Sequence, residues 1–315
     1  LDLVPGNPMA YRLGDDVHNI EALQVDVETD GEPVRRTVHM THLGPVVVGK
    51  TTPWNDQYVY VMRDVNYENY RSGDQYKDIN SARNVTQLRE ALATHQGAAF
   101  VNTIAADVEG GALYADMSAI PNVSSELIER CAVDTETGQR AITLNGSDPS
   151  CNWQIDSRAA YPGLMPPTEQ PSLITDTYVS NSNDSYWLSN PDNPLEGFSP
   201  IIGNEQLTRS LRTRAGLKFV EEVLNSDQKF NQSMVQNLLF NHRHYGAEIF
   251  LDDILTVCVQ SEDLQEACEI LAQWDRRQDL DSVGAVIFNR FWSIAGTVSD
   301  HYLVPFDVNN PIHTP

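Results

Sequence analysis

The stretch ITDTYVSNSNDSYWLSNP, residues 174–191, runs a group of β-branched and aromatic residues into a cluster of short carboxamides and hydroxyls. The ITDTYV half, residues 174–179, predicts a short strand. Asn181, Ser182, Asn183 and Asp184 after it predict a turn, because such side chains hydrogen-bond nearby backbone. A second reading points one carboxamide from the strand end into a cleft. A fixed N–H donor there stabilises a developing oxyanion by about 3–4 kcal/mol. The residues by themselves favour the plain turn.

This stretch sits between two kinds of sequence. Upstream, IEALQVDVET and VRRTVHMTH flank DGEP and predict a hairpin. GPVVVGK follows, and the Tyr-Val-Tyr-Val run of DQYVYVMRDV predicts another strand. NVTQLREALATH carries Val85, Leu88 and Leu92 at helical spacing, with Asn84 at the N-cap and Gln87 at N3. FVNTIAAD, the VEGG turn and ALYADMSAIP predict a second hairpin. Residues 122–173, rich in Pro, Ser, Asp and Gly, predict an ordered excursion. Downstream of residue 200 the pattern becomes helical. NEQLTRSLRTRAGLKFVEEVLNS carries Leu207, Leu211 and Val220, and QSMVQNLLF, AEIFLDDILTVC, DLQEACEILAQW and SVGAVIFNRFW follow. Strands first and helices later give an α+β chain, with a mostly β part over 1–199 and a mostly helical part over 200–315.

The 315 residues suffice for a core that needs no staples, and 41% hydrophobic content fits a globular protein. No apolar run reaches the ~20 residues of a membrane helix. The net charge of −23 argues against nucleic acid or an anionic membrane as partner, since both demand clustered Lys and Arg. Cys131, Cys151, Cys258 and Cys268 form two local pairs a hundred residues apart, with no CxxC. Two disulfides, Cys131–Cys151 and Cys258–Cys268, suit that pattern; four buried thiols are the alternative. The disulfide reading implies a periplasmic or secreted protein. His242-Arg243-His244 offers two imidazoles, which a loop after a helix explains equally, so no metal is assigned.

GxSxG, Walker, GxGxxG and HExxH motifs are absent. What remains is the 181–203 stretch, NSNDSYWLSNPDNPLEGFSPIIG, followed by RSLRTRAGL. Together they resemble the penicillin acylase family of N-terminal-nucleophile hydrolases, in its aculeacin and acyl-homoserine-lactone acylase branch. HLGPVVV, MRDVNYEN and FVNTIAADVEGGALYADMSAIP match upstream, while LAQWDRRQDLDSVGAVIFNRFW and PFDVNNPIHTP match downstream, in order. The resemblance implies part of a four-layer αββα sandwich. It implies hydrolysis of the amide of an N-acyl compound, of homoserine-lactone, lipopeptide or penicillin type. It also implies Asn183 in the oxyanion hole and Arg212 orienting the polar network, with a slip in alignment exchanging Arg212 and Arg214. Tyr76 and Phe100 match positions lining the acyl pocket, although ordinary core aromatics account for them as well.

One departure is plain: residue 1 is Leu. The family's nucleophile is an N-terminal Ser whose own α-amine acts as base. No internal Ser, such as Ser182 or Ser185, offers both groups. The resemblance therefore implies an internal portion of the larger subunit, inactive alone. Its partners would be a Ser-led segment and the smaller subunit of the same precursor, with no cofactor, calcium being left unassigned. Such a portion exposes apolar faces and sheet edges. A secreted binding module on the same scaffold is the alternative.

Overall fold

The protein is described from a computed structural model that covers residues 1–99, 101–133, 142–226, 229–258, 260, 262–298, 302 and 304–314. The chain folds as two units. Residues 1–179 and 185–205 make the first; residues 180–184 and 206–315 make the second.

Among its described residues the first unit contains three antiparallel three-stranded sheets. Strands β1 (Leu3–Val4), β2 (Asn7–Leu13) and β3 (Asp16–Asn19) form one. Its buried residues Leu3, Tyr11 and Ile20 close on Val59. Strands β4 (Glu21–Val27), β5 (Val34–Thr41) and β6 (Gly44–Pro45) form the next. The expected hairpin pairs from Glu21↔Met40 to Val27↔Val34. Thr29 shapes its turn: the hydroxyl accepts from Gly31 N and donates to Glu32 O.

The strand expected in DQYVYVMRDV is not a regular one. Residues 57–62 are extended but make only isolated bridges, Asp2↔Tyr58 and Val46↔Val61. Leu3 N donates to Gln57 O and Val59 N to Leu1 O, whereas Val47 N donates to Tyr60 O and Met62 N to Pro45 O. The segment is shared between two short neighbours, so no continuous ladder forms.

Helices α1 (Ser72–Ser81) and α2 (Val85–His95) follow. Asn84 caps α2 by accepting from Gln87 N, and Gln87 Oε1 reaches back to Arg83 N, one residue beyond the N-cap. The third sheet then begins with β7 (Thr103–Ala106) and β8 (Ala112–Ala115). After helix α3 (Ser125–Cys131) it is completed by β9 (Ser172–Thr175), which pairs with β8. Strand β9 thus ends at Thr175, four residues short of the expected end, because the ladder stops where Thr175 meets Ala112. Asp107 joins hairpin to helix. Its Oδ1 accepts from Glu109 N and Gly111 N in the β7–β8 turn, and its Oδ2 accepts from Val85 N at the start of α2. These backbone bonds, Val85's first, hold the Asp107 carboxyl below its usual range. Val85 and Leu92 of α2 pack on Leu113, Ala115 and Met117, so the sheet is backed by the helix. The Cys131–Cys151 disulfide forms and lies in a core with Val123 and Leu127.

The second unit is helical: α4 (Leu211–Leu224), α5 (Gln232–Phe240), α6 (Tyr245–Cys258), α7 (Gln265–Ala272) and α8 (Val283–Ala295). Leu207, expected on the first of these helices, lies before it and is exposed, since Ser210 takes the N-cap. Ala247 and Leu251, Leu271 and Trp274, and Ala285 and Phe288 build one core. Gly284 permits its closest approach, because a Cβ there would stand 2.4 Å from the Trp274 side chain. The Cys258–Cys268 disulfide ties the end of α6 to α7. The His242-Arg243-His244 loop is occupied by protein partners. His242 pairs with Asp279, Arg243 with Glu222 and Glu248, and His244 with Asn289.

Candidate active site

The 180–184 segment belongs to the second unit and is held against the first turn of α4. Ser210 caps that helix, its Oγ accepting from Thr213 N at 3.2 Å. The Thr213 hydroxyl in turn donates to Asp184 Oδ2 at 2.6 Å. Arg209, whose side chain is only 6% exposed, donates through Nη1 to Asp184 Oδ1 at 3.1 Å. Asp184 is therefore clamped between a guanidinium and a hydroxyl, with the positive end of α4 beside it. Gly216 lets the segment lie close, since a Cβ there would approach Ser182 Oγ to 2.9 Å.

The clamp fixes its neighbour. Asn183 has φ +55°, the left-handed region that Asn tolerates better than most residues. Its N–H donates to Asn181 Oδ1 at 2.8 Å, and Asn181 Nδ2 donates to Asp184 O at 3.4 Å. An Asx turn is therefore present, but Asn181 makes it. The Asn183 carboxamide is exposed and has no hydrogen-bond partner among the described residues. The turn expected of this stretch is thus made by Asn181, and the Asn183 carboxamide is left open to solvent.

Arg212 is exposed and donates through Nη2 to Asn183 O at 3.4 Å, a long bond. Arg214 is buried and turned elsewhere, donating to Ile312 O at 2.9 Å. The structure thus brings Arg212 and not Arg214 to Asn183, but the closely held cation is Arg209. Asp184, Arg209 and Thr213 escaped the sequence reading. Their contacts span up to 29 residues of chain and leave no local pattern. The one available signal was Asp184 itself, an acid amid uncharged polar residues.

The pocket residues fare differently. Phe100 lies outside the described residues. Tyr76 is on α1 and is 53% exposed. The first unit holds a cavity of about 790 Å³ that Tyr76 does not line. Val47, Val61, Ile142, Leu144 and Trp153 make its walls largely apolar. Arg63 stands 3.7 Å over the Trp153 ring and donates to Asn152. His42 shares a 2.8 Å hydrogen bond with the Tyr11 hydroxyl. Burial, then the nearby His18 and Arg63 charges, lower its pKa and favour the neutral ring.

Beside β8, the first unit also holds a carboxyl with an altered proton affinity. Burial raises Asp116 to about 6. Near it the Tyr186 hydroxyl donates to Glu205 Oε1 at 2.6 Å, and Glu205 also accepts from Gly197 N and Phe198 N. Burial, Glu205 and Asp116 together push the phenol up, so it remains a donor.

The sequence matches the profile of the penicillin amidase family over residues 1–301. It is 37% identical over 337 aligned residues to the aculeacin-A acylase of Actinoplanes utahensis, covering 100% of this chain and 42% of that protein. It is 34% identical to the acyl-homoserine lactone acylase PvdQ of Pseudomonas fluorescens, covering 100% of this chain and 41% of that protein. Among solved structures, the thermostable penicillin G acylase of Alcaligenes faecalis superposes with a TM-score of 0.61 at 13% identity, over 93% of this chain and 49% of that one. The α+β fold is shared with that enzyme. The chain spans about two-fifths of the length of these two sequence relatives.

Proposed function

Since the chain belongs to the penicillin amidase family, we propose that it works within a longer acylase that hydrolyses the amide bond of an N-acyl compound. The observation that carries this reading is the Asn183 carboxamide, without a partner among the described residues, on a backbone held by Asn181 and by the clamp on Asp184. When a nucleophile attacks an amide carbonyl, the oxygen gains charge. A carboxamide N–H brought to that oxygen stabilises the charge. Asp184, Arg209 and Thr213 act here as positioning residues, and Arg212 steadies the Asn183 carbonyl. The nucleophile in this reading is a Ser with a free α-amine, contributed from outside residues 1–315. The substrate class follows the relatives, whose names record acylases of aculeacin A and of acyl-homoserine lactones. The apolar cavity of the first unit has the volume that an acyl group fills. The paired cysteines favour a periplasmic or secreted setting.

The test is Asn183→Gly in the full-length protein, expressed from the reading frame that contains this chain. Glycine removes the carboxamide without adding left-handed strain. With phenylacetyl and lauroyl amides, kcat is expected to fall about 10²–10³-fold while KM moves little. A kcat within a few-fold of the parent removes Asn183 from the oxyanion role.

A further inference from the structure

The β4–β5 ribbon has one face whose β4 side chains are left exposed among the described residues, while Val34, Val38 and Met40 of β5 are half-buried. Register places Leu23 opposite Val38 and Val27 opposite Val34, with Glu21 opposite Met40 at the base and Val25 opposite Arg36. Directly opposed residues point to the same side. Leu23, Val25, Val27, Val34, Val38 and Met40 therefore share one face. The other face is closed by its own pairs: Gln24 with Thr37 at 3.0 Å, and Asp26 with Arg35 at 2.6 Å. On the apolar face Leu23, Val25 and Val27 are 46%, 42% and 46% exposed. None of the six belongs to a core cluster of the described residues.

We propose that this face seats further polypeptide of the same protein, an apolar segment bearing a carboxylate opposite Arg36. The proposal rests on the reading above that the chain works within a longer acylase. Four observations support that occupant. Since β6 pairs only with Met40 and Thr41, the ribbon is two-stranded over residues 34–39, and a two-stranded ribbon is marginal until one face is packed. Arg36 stands amid the apolar residues with a single hydrogen bond, to the carbonyl of its neighbour Arg35, and no carboxylate within ion-pair distance among the described residues. An acidic group in the occupant supplies that partner. A second copy of this chain is the poorer occupant, because each copy carries −23 and repels the other. Relatives more than twice as long have the polypeptide to fill the face.

Thiol labelling tests this without substrate. All four cysteines are disulfide-bonded, so Val25→Cys adds the one free thiol of residues 1–315. Val25→Cys and Gln24→Cys, on opposite faces, are made in the 315-residue chain and in the full-length protein. Background labelling of the unsubstituted proteins is subtracted. Val25→Cys is expected to react about tenfold or more slowly in the full-length protein than in the chain, and Gln24→Cys at similar rates in both. Equal rates for Val25→Cys overturn the proposal. So does equal slowing of Gln24→Cys, which means that the whole ribbon is sequestered. A Val25→Cys rate in the chain alone that falls with protein concentration assigns the face to a second copy. If Val25→Cys misfolds, Val27→Cys on the same face replaces it. Lauroyl-amide hydrolysis by the same full-length samples reports the acylase reading separately, so protection without hydrolysis leaves the interface standing.

Discussion

The β7–β8–β9 sheet and the β4–β5 ribbon are both antiparallel and both follow from simple patterns in sequence, yet their environments are opposite. All four residues of β8 are buried, and all seven of β4 are exposed. The difference lies in what stands behind each. Helix α2 lays Val85 and Leu92 on Leu113 and Ala115, and Asp107 ties the hairpin turn to the helix start. Nothing in the described residues of its unit does this for Leu23, Val25 and Val27. Strand formation and strand burial are therefore separate facts, and only the first is local.

The largest effect expected from this contrast is at Leu113, which is fully buried at the centre of its sheet. Leu113→Ala should lower stability by about 3–4 kcal/mol, since a close-packed site between helix and sheet cannot collapse onto the cavity. Urea unfolding of the 315-residue chain checks it. A loss under 1 kcal/mol would mean that α2 does not pack on β8 as described.

A second contrast is in proton affinity. Asp26 on the ribbon is solvated and its pKa is lowered by the Arg35 hydrogen bond. Asp116, just beyond β8, is raised to about 6 by burial. The signs differ accordingly. Asp26 favours the folded state above its unfolded pKa, and that contribution fades as pH falls through the lowered value. Asp116 binds its proton more tightly folded than unfolded. Its contribution is complete below pH 4 and is lost as pH rises through 6, by about 3 kcal/mol in all. Asp116→Asn should therefore match the parent near pH 4 and exceed it in stability at pH 8. Urea midpoints across that range decide it, and parallel pH profiles for the two proteins would exclude a raised carboxyl at this position.

How much of this was legible beforehand follows the same division. Residues 21–41 and 103–115 showed both hairpins, and Asn84 marked the start of α2, because periodicity and capping act within a few residues. The 57–62 segment failed as a strand although its Tyr-Val alternation is strong, since a ladder needs long partners and its neighbours are three residues each. At the candidate site the clustered carboxamides mark only the 181–184 turn, and it is the family resemblance that names Asn183 within it. The clamp of Arg209 and Thr213 on Asp184 did not show, because it exists only once α4 is beside the 180–184 segment. Tyr76 stands on an exposed helix face, where an aromatic in sequence looks no different from one lining a pocket.

The smallest expected effect is the most informative about the ribbon. Leu23 is 46% exposed and outside every core cluster of the described residues. In the 315-residue chain Leu23→Ala should change stability by less than about 0.5 kcal/mol, because little apolar surface returns to water. In the full-length protein the same substitution should cost about 2 kcal/mol or more if the proposed segment covers the face, since a leucine side chain then leaves a packed site. Paired urea midpoints, parent against variant in each background, give the comparison directly. Equal small losses in both mean that the ribbon stays bare, and then its apolar face has some other purpose. Equal large losses mean that the 315-residue chain already covers it. Only a loss that grows with the added polypeptide makes the ribbon into what the β8 sheet already is, a strand pair completed by what packs on it.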